Sequence, residues 1–132
     1  MTIQNVIIST VITILPLWFL IPETNIRCWE VGGVYFDWKI YVCDTTDNEF
    51  TKYHEIWHKL WNEWYITDKE KETYTTAYSG ALKRWISAFY REYSMTDSEE
   101  DGADIFALIM TKDRIKISMK KREKLVLQMI NK

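Results

Sequence analysis

At 132 residues the chain suits one domain and is tight for two. A hydrophobic content of 47% supports a packed core and argues against a disordered chain, and a net charge of −2 argues against a nucleic-acid partner, which asks for a basic excess. Seven tryptophans and eight tyrosines supply much apolar area; their number alone leaves core, site and membrane-interface roles open.

The first segment, residues 1–22, is apolar. "VIISTVITILPLWFLI" carries no charge, and extended back to Ile3 it reaches the length that spans a bilayer as a helix. Pro16 is tolerable in such a helix and Trp18 fits an interfacial anchor. Residues 3–21 are therefore expected to tether the protein to a membrane, with Arg27 and Lys39 placing the C-terminal part in the cytoplasm. The alternative is a pair of buried strands broken at Pro16, which the β-branched residues favour, in a cytoplasmic protein. No basic residue precedes the run and no small-x-small cleavage site comes after it, so a secretory signal is disfavoured.

Residues 23–132 form the predicted domain. "IRCWEVGGVYFDWKIYVCD" reads as strand, Gly32-Gly33 turn, strand. That turn sets Cys28 opposite Asp37, so two buried thiols are expected in preference to a disulfide. Asp47 or Thr46 can cap a helix over 48–64 with Glu49 in its first turn. "TDKEKE" is expected as a solvated connection. "TTAYSGALKRWISAFYREY" reads as one amphipathic helix whose core stripe includes Tyr78, Trp85, Ile86, Phe89 and Tyr93. Ser98, with Asp101 three residues on, opens a helix over 99–110. A last helix begins after Ser118, with the basic stretch 120–124 as a wet face. The fold class is α+β.

Both histidines lie in "TKYHEIWHKLW", as His54 and His58. On a helix they stack on one face and can grip one metal ion, while Glu55 points about a quarter-turn away, where a general base for a metal-held water belongs. A catalytic zinc takes three protein ligands and leaves one position open. With no third histidine and no nearby cysteine, the third ligand must be a carboxylate, and "SEEDGADIFALIM" offers Glu99, Glu100 and Asp101. Glu100 and Asp104 share a helical face; neither Glu99 nor Asp101 has an acidic partner four residues on.

His54-Glu55-x-x-His58 followed by Glu100-x-x-Ala103-Asp104 resembles the gluzincin zinc metallopeptidases, a group that includes thermolysin and the ImmA/IrrE-type peptidases. The small size is similar to the minigluzincins. The resemblance covers 53–110 and implies a zincin-like domain with a short sheet and about four helices. It implies Zn2+ on His54, His58 and Glu100, Asp104 supporting a ligand histidine, and Glu55 as catalytic base. Two departures stand out. Trp57 occupies a position where many members carry a small residue. No histidine remains to stabilise an oxyanion, so that role falls to a tyrosine or an arginine, with Tyr65, Tyr74 and Tyr78 as candidates.

The expected activity is zinc-dependent hydrolysis of peptide bonds in a peptide or protein substrate, paired along a strand near 40–42. Two alternatives have distinct signatures. A non-catalytic zinc-binding or protein-interaction module keeps its partner when Glu55 is changed. A latent membrane-tethered protease gains activity when the N-terminal run or the C-terminal helix is removed. Substrate preference and oligomeric state are not written in the sequence.

Overall fold

The computed structural model describes residues 2–21, 24–44 and 48–132. It has the expected α+β composition, five α-helices with a small sheet. Strands β1 (Ile12–Leu15), β4 (Gly33–Phe36) and β5 (Lys39–Cys43) make a sheet in the order β1-β5-β4. β1 runs parallel to the central strand β5 and β4 antiparallel to it. A separate ribbon pairs β2 (Leu20–Ile21) with β3 (Ile26–Arg27). β5 alternates with the strand period and is covered on both faces. Ile40 and Val42 join the main core, and Tyr41 and Cys43 join a smaller one with Leu15, Ile21 and Cys28.

The run 3–21 is not one helix. It divides into α1 (Ile3–Ser9), strand β1, a turn after Pro16, and β2. The hydroxyls of Ser9 and Thr10 both donate to the Val6 carbonyl at the end of α1, and the β-branched residues beyond them find a ladder on β5. Among the described residues no helix is long and apolar enough to cross a membrane, so the expected spanning segment is absent there.

The hairpin turn also differs. It lies at Asp37-Trp38, both with positive φ (49° and 66°), and joins Phe36 to Lys39. Two left-handed residues in a two-residue loop match the right-handed twist of the flanking strands. Gly33 instead begins β4, where a side chain would strike Thr51 Cγ2 at 2.7 Å. With the turn moved, Cys43 lies beside Gly32, and the β2–β3 ribbon folds back so that Cys28 reaches it. Cys28 and Cys43 form a disulfide with Cα atoms 5.8 Å apart, correcting the expectation of free thiols.

Helix α2 spans Asn48–Asn62; the caps proposed at Thr46 and Asp47 lie outside the described residues. It buries Phe50, Ile56, Trp57, Leu60 and Trp61. Helix α3 (Asp68–Leu82) takes in the stretch expected as a connection. Thr67 caps it, with Glu70 completing a reciprocal capping box. The long amphipathic helix then fails after Leu82. Trp85 adopts φ 60°, and the chain continues in two 3-10 turns, Trp85–Ala88 and Glu92–Met95. The cause is tertiary. The carbonyls of Ser87, Ala88 and Phe89 accept from Ser118, Arg122 and Lys116 in the C-terminal segment, in place of a helical ladder. Phe89 is buried as expected and Ala88, outside the expected stripe, is buried too, but Trp85, Ile86 and Tyr93 are exposed.

Helix α4 (Ser98–Met110) is capped one residue earlier than expected. The Asp97 side chain accepts from the Glu100 amide at 2.8 Å. At its end Lys112 takes φ 59° and closes a Schellman motif, with Asp113 N–H donating to Leu108 and Lys112 N–H to Ile109. Helix α5 (Lys120–Ile130) is not only a wet basic face. Arg122 is 2% exposed and donates to Asp101 Oδ1 at 2.6 Å, while Tyr74 donates to Oδ2 at 2.6 Å.

Candidate metal centre

α2 and α4 pack face to face, and the contact is set by one pair of residues. Trp57, fully buried, lies against Gly102, so the helices approach where any side chain at 102 would collide. The bulk at Trp57 is thus met by the absence of bulk at Gly102. Ala103 is also buried beside it.

This approach brings three donor atoms together. His54 Nε2 lies 3.0 Å from Glu100 Oε2, His58 Nε2 lies 3.3 Å from the same oxygen, and the two Nε2 atoms are 3.2 Å apart. Among the described residues, His54, His58 and Glu100 form the group of side chains able to hold a metal ion. Glu100 Oε2 is buried and makes no hydrogen bond, close as the imidazoles are.

Each imidazole is backed by a carboxylate on its other nitrogen. His54 Nδ1 donates to Asp104 Oδ1 at 2.8 Å, as the sequence suggested. His58 Nδ1 donates to Glu99 Oε2, a pairing the sequence did not suggest; Glu99 is also held by Asn62 Nδ2 at 2.7 Å. Carboxylates at Nδ1 fix the tautomer and leave each Nε2 with a bare lone pair. Two lone pairs and a carboxylate oxygen therefore face one another with no donor between them. A bound cation satisfies all three, and bonds of roughly 2.0–2.1 Å to a tetrahedral zinc would separate the ligand atoms by roughly 3.3 Å. The residues fit such an ion.

Asp104 has no exposed side-chain surface and is fully engaged. Besides His54 it accepts from Arg91 Nε and Nη2, both at 2.8 Å, and from Ser94 Oγ at 2.7 Å. Burial works against its charge, but these donors outweigh burial and hold its pKa below the usual carboxylate value.

The charge balance favours a dication. The acids Glu55, Glu99, Glu100 and Asp104 stand around the two imidazoles, and among the described residues Arg91 is the cation paired with them, through Asp104. In the protein alone this field holds protons instead. Burial opposes the charge on His58, yet Glu100, Glu99 and Glu55 overcome it and push its pKa up to about 10. His54 shifts upward for the same reason, against its own burial. Glu100 is driven far below the usual range by the imidazoles, despite its own burial.

Glu55 sits on the next face of α2, 6% exposed, where the Tyr35 amide of β4 donates to it. Burial foremost, with the nearby Glu100 carboxylate, raises its pKa; the imidazoles and the Tyr35 amide oppose the shift. A carboxylate with a raised pKa is a stronger base at neutral pH. The strand expected to take a substrate, 40–42, is the central one with both edges used. β4 is the strand that walls the cleft, with Gly33 and Tyr35 beside His54 and Glu55.

None of the three tyrosines named as oxyanion candidates reaches the centre. Tyr65 donates to the Ile130 carbonyl, Tyr74 to Asp101 and Tyr78 to the Met95 carbonyl. Tyr93, read from the sequence as core, is the phenol that does. It lines the cleft together with Glu100, its ring lies 6.2 Å from that of His54, and burial and the Glu100 charge raise its pKa to about 12. Arg91 and Tyr93 were hidden by reading 75–93 as one helix, and Ser94 follows directly after it. The C-terminal helix, considered as a cover for the cleft, packs on α3 and α4 and lines neither side of it.

Neither a family model, nor a curated protein, nor a solved structure matches the chain.

Proposed function

We propose that this chain is a zinc-dependent peptidase. One observation carries the reading: three unshielded donor atoms from two helices converge at 3.0 to 3.3 Å, with a buried glutamate beside them. His54, His58 and Glu100 would hold the ion. When bound, zinc supplies Lewis-acid polarisation of a water and of a substrate carbonyl.

The chain's own residues supply the rest. Glu55 takes the proton of the attacking water at its carboxylate and later returns it to the leaving amine. The Tyr93 hydroxyl, protonated throughout the neutral range, donates to negative charge developing on the carbonyl oxygen. β4 borders the cleft as an edge strand and offers backbone groups to an extended peptide. Asp104 and Glu99 keep both imidazoles in the ligating tautomer.

The test is zinc stoichiometry of the purified chain together with cleavage of a mixed peptide library. One zinc per chain is expected, with Glu55→Gln retaining zinc and losing cleavage, and Glu100→Ala losing zinc. Unchanged zinc binding in Glu100→Ala, or cleavage that survives Glu55→Gln, refutes the assignment.

A further inference from the structure

Beyond the three donors the cleft widens into a cavity of about 720 Å3, walled in part by Phe50, Tyr90, Arg91 and Tyr93. Phe50 and Tyr90 stack with ring centroids 5.4 Å apart. The Arg91 guanidinium lies over Phe50 and Tyr93, at 5.5 and 5.1 Å from their ring centres. An apolar side chain fits such a wall, with the guanidinium held over the ring faces.

Arg91 is only half used. A guanidinium has five N–H groups in a planar fork. Nε and one Nη2 hydrogen engage Asp104, and the other edge, Nη1 with the second Nη2 hydrogen, makes no hydrogen bond or ion pair among the described residues. The side chain is 44% exposed and lines the cavity. If Arg91 served only to neutralise Asp104, that free edge and its seat on the cavity wall would have no use. The edge matches a second carboxylate in two-point contact. Glu30, at the rim, is exposed and takes the Arg27 amide at 3.4 Å, so it competes weakly.

We infer, on the peptidase reading above, that Arg91 receives a substrate carboxylate next to an aromatic or aliphatic residue, so that favoured peptides carry a free C-terminus or an acidic side chain close to the bond cut. The reach is consistent. His54 Nδ1 and Arg91 Nη2 share one acceptor, Asp104 Oδ1, at 2.8 Å each, so the guanidinium lies within two hydrogen bonds of a ligand imidazole. An extended residue spans roughly 3.3–3.6 Å. A carboxylate on Arg91 therefore belongs to a group one or two residues from a carbonyl at the metal centre.

The test is direct binding to the zinc-free full chain, measured by NMR titration, so that neither metal coordination nor turnover enters. The probes are N-acetyl-phenylalanine against its amide, and N-acetyl-phenylalanyl-glutamate amide against its glutamine counterpart. In at least one pair the carboxylate is expected to bind about tenfold more tightly, as a charge-assisted contact gives. The pair showing the preference assigns it to a chain terminus or to a side chain. Arg91→Gln should abolish the preference. Arg91→Lys, which keeps the charge beside Asp104 but loses the fork, should reduce it at least threefold, and it serves if the glutamine variant does not fold by near-UV circular dichroism. Equal binding within both pairs, or a preference undiminished in either variant, overturns the proposal. Zinc stoichiometry measured in parallel keeps the two readings apart. Zinc binding and cleavage without the preference defeat only this inference; the preference without zinc defeats only the peptidase.

Discussion

Replacing Gly102 with alanine tests whether the spacing of α2 and α4 sets the metal centre. A Cβ at Gly102 would lie 2.7, 2.9 and 3.0 Å from three atoms of the Trp57 indole. Carbon contacts settle near 3.5–4.0 Å, so roughly 0.5–1 Å of separation has to be found. Trp57 cannot yield by swinging away, because it is fully buried between Trp61 and Phe106, with ring centroids 6.0 and 5.4 Å distant. Overpacking of this kind costs about 1–3 kcal/mol, offset by about 1 kcal/mol of helix propensity gained over glycine. The net expectation is a loss of about 1 kcal/mol in urea unfolding of the metal-free chain. The effect on zinc should be larger, because the same displacement pulls Glu100 off the two imidazoles. Affinity measured by chelator competition should fall about 10–100-fold, the range seen when ligand support is disturbed. Gly80→Ala is the control, since Gly80 is exposed on α3 and nothing lies within 4 Å of its added Cβ. It should gain up to about 1 kcal/mol and leave zinc untouched. If Gly102→Ala matches Gly80→Ala in both measurements, the argument from close approach is wrong.

Glu99→Gln should lower zinc affinity about 10–100-fold while the metal-free fold persists, because His58 loses the carboxylate that fixes its tautomer; unchanged affinity would make the Glu99–His58 pair incidental. Arg122→Met leaves the Asp101 carboxylate buried with only Tyr74 for a partner, and should cost about 3–5 kcal/mol in chemical unfolding; a loss below about 1 kcal/mol would refute it. In the metal-free chain the folded state raises His58 from 6.5 to about 10, so its proton stabilises the fold fully below 6.5, progressively less above that, and not at all once the pH has passed about 10. Melting temperature should fall over that window with a slope that His58→Gln reduces, and zinc, which needs the unprotonated imidazole, should bind more tightly as pH rises through it; a slope indifferent to His58 would contradict the assignment.

Much of the centre was legible because helical periodicity is local. His54 and His58 one turn apart, and Glu100 and Asp104 one turn apart, need only a helix to share a face. The supports were legible only in part. Asp104 comes from the same periodicity, but Glu99 reaches His58 through the approach of two helices, and that approach depends on Gly102 meeting Trp57. Arg91, Tyr93 and Ser94 were lost for another reason. Residues 75–93 have good helical spacing, and in place of the helix the carbonyls at 87, 88 and 89 are captured by side chains at least 27 residues away in sequence. The hairpin misled for the opposite reason: Gly32-Gly33 is the favoured turn pair, yet Asp37 and Trp38 accept the left-handed conformation, and the disulfide results from that shift.

The covalent bond between Cys28 and Cys43 closes a ring around β4 and the Asp37-Trp38 tip. A single nick anywhere on that ring would not part the molecule. The fragments would migrate together until a thiol reagent was added, and the strand bordering the cleft would stay covalently tethered by its uncut end and paired along β5. For a protein read as cutting peptides, self-inflicted scission on this hairpin would then be an injury that it carries without falling apart.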